Sequence, residues 1–257
     1  MDLGLTGRTA VVAASTGGLG RAVAEALAAE GARVVVSGRR GDTAKEIAAA
    51  LPDAIGVEVD LDAPEGPRTL MDAARAAYGQ IDIVVLNGPG PKPGKASGVS
   101  DTDLAEATHS LLLAQQRLAT LALPAMRERG WGRILAVGSS GIAAPLPDLA
   151  LSNAGRAALA AYLKTLAAET AADGVTVNLL LPGRIATDRV AALDAAKAAR
   201  EGRTAEEVAA ASRATIPAGR YGTPEEFGAV AAFLCGQPAA YVTGTALRCD
   251  GGLVRSL

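Results

Sequence analysis

The side chains that most often perform chemistry are scarce in this sequence. There is one histidine, His109, and there are two cysteines, Cys235 and Cys249. That is too few for a zinc site of ordinary Cys/His spacing or for a disulfide framework, so no metal is expected and a reducing compartment is the simpler reading. Aromatic residues amount to only 3% of the 257 positions. Any histidine base must therefore be His109, and any phenolic acid must be Tyr78, Tyr162, Tyr221 or Tyr241. The 25 basic and 27 acidic residues nearly cancel, to a net charge of −2, with no run of Lys or Arg. A nucleic-acid partner would leave a basic face, and none is expected here. The start, Met1 to Ala14, carries Asp2 and only a short apolar run, which fits neither a signal peptide nor a membrane span. The expectation is a cytoplasmic protein with no membrane partner.

Hydrophobic residues, at 49%, are what the chain has in abundance. Short Val/Ile-rich runs at Thr9–Ala13, Arg33–Ser37, Ile55–Val59, Ile81–Leu86, Arg133–Val137, Thr176–Leu181 and Thr245–Arg248 read as strands. Between them, longer stretches of helical period span Leu19–Glu30, Thr43–Leu51, Glu65–Tyr78, Asp103–Arg129, Leu151–Asp173 and Pro224–Cys235. Strict alternation predicts an α/β protein: a single-domain Rossmann fold, with a doubly wound parallel sheet of about seven strands and helices on both faces. No linker, charge block or repeat divides residues 1–257, so one dinucleotide-binding domain is expected. A Gly/Pro-rich stretch, Gly88 to Gly94, follows the fourth strand and reads as a stiff rim loop. Charged helical sequence at about 183–214 reads as either a mobile lid or a surface insertion. A TIM barrel would alternate in the same way, but the first strand-to-helix turn carries a glycine cluster, where a Rossmann sheet places its phosphate loop.

That turn runs from Val11 to Arg21 and includes Ala14, Ser15, Thr16, Gly18, Leu19 and Gly20, all expected to contact cofactor. Glycine lets backbone approach a pyrophosphate and lets the helix pack close to the sheet, while the free N–H groups of the helix start attract the anion. After the second strand, an NAD site usually has an acid for the ribose 2′-hydroxyl. Here Arg39 and Arg40 stand there instead. Two guanidiniums suit a 2′-phosphate, so NADP(H) is expected in preference to NAD(H).

These features together resemble the short-chain dehydrogenase/reductase family along essentially the whole chain. The family's Thr-Gly-x-x-x-Gly-x-Gly loop corresponds to Ala13-Ala14 followed by Gly18 and Gly20, with the first two positions altered. Asp60, with Leu61 beside it, falls where the family holds the adenine amine. Asn87-Gly88 sits in the family's Asn-Asn-Ala-Gly segment, although Leu86 and Pro89 replace its outer positions. The run Pro182-Gly183-Arg184-Ile185-Ala186-Thr187 matches Pro-Gly-x-x-x-Thr, in which the Thr and the backbone meet the nicotinamide amide. The closing segments Tyr241–Gly244 and Cys249–Gly252 also look like the family's ending. The resemblance implies a small-molecule substrate and a homodimer or homotetramer.

The catalytic set departs from that pattern. The family places a Ser thirteen residues before a Tyr-x-x-x-Lys motif, and an Asn on the fourth helix completes a proton relay. Counting from Ser139 gives Ser152 where the Tyr should be, Arg156 for the Lys and Leu111 for the Asn. The expected catalytic residues are therefore Ser139, Ser152 and Arg156, with Ser140 and Arg184 facing substrate. A serine hydroxyl is a far weaker acid than tyrosine, and as a neutral donor it contributes roughly 0.5–1.5 kcal/mol against the 10²–10⁴-fold of a matched general acid. Arg156 and Arg184 favour an anionic substrate. His109 and Asp148 are secondary candidates for moving a proton. Three functions stay open: an NADP(H)-dependent oxidoreductase with an altered relay, a redox-inactive subunit (for instance in a hetero-oligomer with an active relative) or ligand-binding protein, and a non-redox isomerase or cyclase.

Overall fold

The computed structural model describes residues 1–256. Seven parallel strands form one sheet in the order β3-β2-β1-β4-β5-β6-β7. They are β1 (Thr9–Val12), β2 (Arg33–Gly38), β3 (Ala54–Glu58), β4 (Ile83–Leu86), β5 (Gly132–Val137), β6 (Val175–Pro182) and β7 (Ala246–Cys249). Strand order reverses between β1 and β4, so a crevice opens at their C-terminal ends, as in any doubly wound sheet. The α/β single-sheet architecture read from the sequence is the one found.

Burial on both faces follows from period-two alternation. Val11 and Ala13 enter one apolar layer, whereas Ala10 and Val12 enter the other. The first layer receives α3 (Gly66–Tyr78), α5 (Ala114–Glu128) and α6 (Ala150–Thr170), through Leu70, Met71, Leu118, Met126 and Leu163. The second receives α1 (Gly18–Ala29), α2 (Gly41–Ala49) and α9 (Pro224–Cys235), through Val23, Leu27, Ile47 and Phe227. Capping residues fix the helix starts. Thr223 accepts from Glu226 N while the Glu226 carboxylate accepts from Thr223 N, a reciprocal cap ahead of Pro224.

One expectation needs correction. The stretch read as one helix over Asp103–Arg129 is broken: α4 (Asp101–Thr108) passes through a π turn at His109–Leu113 before α5 begins. Leu111 lies in that turn against Gly155 of α6, where an added Cβ would meet Leu111 Cβ at 3.0 Å. The glycine lets the two backbones approach, and the widened turn absorbs the extra residue. The segment after β6 is two capped helices, α7 (Asp188–Glu201) and α8 (Ala205–Ala214), packed on each other with α7 along the crevice.

At the N-terminal end of β5, Arg133 is 2% exposed and its guanidinium donates to the carbonyls of Gly132, Gly174 and Gly236 at 2.9, 3.4 and 3.4 Å. Its plane lies 4.3 Å from the Trp131 ring, whose centroid is 3.9 Å from Arg8. Nearby, fully buried Asp82 accepts from Thr9 N and from Gln80, and pairs with Arg8. These bonds tie this end of the sheet together, although the buried Thr9 Oγ1 has no partner.

Candidate active site

The crevice at the other end is a cleft of about 1290 Å³, bounded by the β1, β2 and β3 turns on one side and by α6, the rim loop and α7 on the other. On the first side, Gly17 is extended and Gly18 turns at φ 54, so the start of α1 presents backbone to open space, and nothing lies within 4 Å of an added Cβ at Gly18. Asn87 secures the turn by donating from Nδ2 to the carbonyls of Ala13 and Ala14, at 3.2 and 3.1 Å. Ala14, Thr16, Gly18 and Leu19 line the cleft. So do Arg39, Arg40, Asp60, Leu61, Asn87 and Gly88, and across the cleft Pro182, Gly183, Ile185 and Thr187.

Two residues of the turn take another role. Ser15 is fully buried; its Oγ donates to Val12 O at 2.7 Å and accepts from Ser37 N at 2.9 Å, so it ties β1 to β2 instead of meeting a ligand. Gly20 also faces inward, since an added Cβ would stand 2.6 Å from Ala14 O and 2.7 Å from Asn87 Nδ2. Its absent side chain serves helix packing. The two arginines divide as well: Arg40 reaches back to Thr16 O at 2.6 Å and braces the turn, whereas Arg39 remains at the cleft lining.

On the second side, Ser139, Ser140, Ser152 and Arg156 all line the cleft, as the motif spacing requires. Ser139 Oγ accepts from Gly141 N at 3.0 Å, which leaves its hydrogen free to donate. Arg156 donates from Nη1 to Val137 O at 2.7 Å. Burial, and then the like charge of Arg189, push its pKa down to about 10 from the ordinary 12.5. Leu111, in the place of the family's Asn, is buried and does not reach the cleft.

No tyrosine lines this space. Tyr162 packs on the core, Tyr78 bonds Asp53 at 3.1 Å, Tyr241 is fully exposed, and Tyr221 donates to Asp194 at 2.7 Å. His109 is bonded through Nε2 to Asp62 O at 3.0 Å and likewise stays out of the cleft lining. Asp148 does line it and is ion-paired with Arg200 at 3.3 Å. Arg184 lines the cleft as well. Its Nη1 is 2.8 Å from the Asp194 carboxylate, itself buried, so its charge is already met within the protein.

Sequence reasoning read this segment as helical but missed the residues that α7 contributes to the cleft, Arg189, Leu193, Lys197 and Arg200. Their spacing at helical period was the available signal, because it puts them on one face. Among the described residues no group of three or more His, Cys, Asp or Glu could hold a metal, and no helix is long and apolar enough to cross a membrane.

A doubly wound sheet with a glycine turn at its switch point, and a serine-lined floor opposite, defines a nucleotide-binding α/β oxidoreductase scaffold. Residues 13–254 match the family described as Enoyl-(Acyl carrier protein) reductase. The chain is 32% identical over 253 residues to 3-oxoacyl-(acyl-carrier-protein) reductase FabG of Haemophilus influenzae, covering 98% of this chain and all of that one. It is 33% identical over 267 residues to D-beta-hydroxybutyrate dehydrogenase of Cupriavidus necator, with 97% and 99% covered. The crystal structure of L-sorbose reductase from Gluconobacter frateurii, complexed with NADPH and L-sorbose, superimposes with a TM-score of 0.94 at 31% identity over the whole of both chains. The chain belongs to the short-chain dehydrogenase/reductase family.

Proposed function

We propose that the protein is an NADP(H)-dependent oxidoreductase that acts on a carbonyl or hydroxyl of a small anionic substrate without a tyrosine acid. The observation that carries this reading is the pairing of two half-sites in one cleft: a turn shaped for a dinucleotide, and a floor where Ser139, Ser152 and Arg156 converge. The cradle fits the cofactor on its own geometry. The α1 start is open at Gly18, Arg39 has no carboxylate within ion-pair distance among the described residues, and Thr187 caps α7 at the far wall. The L-sorbose reductase neighbour, crystallised with NADPH, supports the same choice.

NADPH, when bound, supplies the hydride that reduces a carbonyl. The chain's own residues hold the carbonyl oxygen and receive the charge that develops on it. Ser139 offers a free hydroxyl hydrogen, and Ser152 a second donor from the α6 wall. Arg156, fixed by Val137 O, adds a charged donor in a partly desolvated place. Removing one preorganised oxyanion donor typically costs 10²–10³ in rate, so a guanidinium supplies much of what a missing general acid would. Water at the cleft mouth then delivers the proton that completes the alcohol.

The test is NADPH consumption over a panel of oxo acids and neutral ketones, with Arg156→Met and the double variant Ser152→Tyr/Arg156→Lys beside the parent. Turnover by the parent that falls in Arg156→Met supports the proposal. Thermal stabilisation by NADPH with turnover in the double variant alone would instead identify a redox-inactive member. No stabilisation by NADPH or NADH would remove the cofactor altogether.

A further inference from the structure

The cations around the substrate end of the cleft can be sorted by what neutralises them. Arg184 is held by Asp194 at 2.8 Å, Arg200 by Asp148 at 3.3 Å, and Lys197 lies 3.8 Å from Glu201. Arg156 and Arg189 are different. Arg156 donates to Val137 O, and Arg189 to the carbonyls of Gly90 and Pro91 at 3.4 and 3.1 Å. Backbone carbonyls orient a guanidinium but do not cancel its charge, and among the described residues neither side chain has a carboxylate within ion-pair distance. Both line the same cleft, and the charge of Arg189 adds to burial in lowering the pKa of Arg156. Like charges brought together without a counter-charge are unfavourable unless something else supplies it.

The fit around Arg189 indicates that it is seated. A Cβ on Gly90 would come within 2.6 Å of Arg189 Nη2, so the rim loop is bare at the spot where the side chain crosses it. On the other jaw, Arg156 follows Ser152 by one helical turn, which puts their Cβ atoms about 5–6 Å apart. Its anchor, Val137, precedes Ser139 by two residues. An acid group held by Arg156 therefore lies beside the hydroxyls that receive the carbonyl oxygen.

We propose that Arg156 and Arg189 are the two jaws of a carboxylate site, and that the substrate is a short free oxo acid whose carboxylate is one or two carbons from the reacting carbonyl. Naming this class rests on the oxidoreductase reading of the cleft, whereas the anion site itself does not. A carboxylate meets the free edge of a guanidinium in a planar two-point contact.

Calorimetric titration of the NADP⁺-saturated protein with pyruvate and acetoacetate, against their methyl esters, tests this directly. The acids should bind at least about tenfold more tightly than the esters, the difference expected of a charge-assisted contact. Arg189→Gln, at an exposed position, should remove most of that preference, and in turnover should raise KM for the acid with kcat little changed. Gly90→Ala, which displaces Arg189, should reduce it in part. Equal binding of acid and ester by the parent overturns the proposal, and so does a preference that survives Arg189→Gln. Loss of acid binding when NADP⁺ is added overturns it too, because the arginine pair would then belong to the cofactor phosphates. Acid binding that depends on Arg189, in a protein that binds neither NADPH nor NADH, would refute the oxidoreductase reading and leave the carboxylate site standing.

Discussion

Strand β5 has a buried guanidinium at each end. Arg133 opens the strand, and Arg156, reaching in from α6, is anchored on the carbonyl of its last residue, Val137. Desolvation lowers the pKa of both. Their surroundings differ. Arg133 meets three backbone carbonyls through Nε and Nη1 and lies against the Trp131 ring, so three of its five donors are engaged within the protein. Arg156 has a single carbonyl and borders a cleft of about 1290 Å³. Burial of a charge therefore does not distinguish structure from function in this sheet. The distinction lies in whether the fold itself supplies the acceptors, and at the C-terminal end it does not.

The sharpest way to break this comparison is to replace both with methionine. Arg156→Met should lower kcat/KM by about 10²–10³, the cost of one preorganised oxyanion donor, as read by NADPH oxidation. Its stability in urea should hold or rise. The sign follows from linkage: a folded-state pKa depressed to about 10 from 12.5 means that folding disfavours the charged form. That cost is present at neutral pH and is relieved only as pH climbs past about 10, so removing the group removes the cost. Arg133→Met should behave in the opposite way. Three carbonyls lose a donor and the ring loses its cation, for a loss of about 2–3 kcal/mol in unfolding free energy, while kcat/KM per folded molecule is unchanged. Equal destabilisation by the two substitutions would erase the distinction between the ends.

How much of this was legible in sequence depends on whether a residue's role is set by neighbours in the chain or by partners across the fold. The glycine turn was placed by its position after the first strand, and Asn87, Ser139, Ser152 and Arg156 by the resemblance to the family's motifs, which strand-turn-helix units hold in place locally; Gly18 and these four line the cleft. Ser15 was misread because its partner, Ser37 N, arrives from the neighbouring strand. Arg184 lines the cleft, but its ion pair was not foreseen, because Asp194, ten positions on, turns back from α7 to meet it. The π turn at His109–Leu113 was invisible because one widened turn hardly disturbs a helical apolar pattern. Arg189 escaped notice because its position depends on where α7 starts, which Thr187 decides by accepting from Val190 N.

A smaller effect separates the two cofactor-side arginines. Both line the cleft, but Arg40 is engaged on Thr16, whereas Arg39 has no such partner. Arg39→Ala should weaken NADPH by about tenfold with NADH unchanged, the scale of one charged hydrogen bond. Arg40→Ala should weaken both nucleotides alike, because it loosens the turn that either one needs. Fluorescence titration with the two nucleotides separates these outcomes. Equal losses on NADPH and NADH in Arg39→Ala would end its assignment to the 2′-phosphate.

The smallest expected effect concerns strain, and it too divides the ends of the sheet. Among the described residues, the non-glycine positions with positive φ are Ala14 at 46° and Asp148 at 58°, and both line the cleft. Around Arg133 this conformation falls to a glycine, Gly174 at φ 72, and to no residue with a side chain. An L-residue held in the left-handed region is disfavoured relative to glycine, and such strain gathers where surrounding contacts impose it for a ligand's sake. At Ala14 the contacts are visible: Asn87 Nδ2 holds the carbonyls of Ala13 and Ala14. Ala14→Gly should therefore raise stability by about 0.5–1 kcal/mol, because relief of strain exceeds the added freedom of the unfolded chain. It should leave NADPH affinity within twofold, since the backbone keeps its path. A loss of stability in the urea midpoint would mean that Ala14 is relaxed in its turn, and that the cleft end carries no more strain than the end built around Arg133.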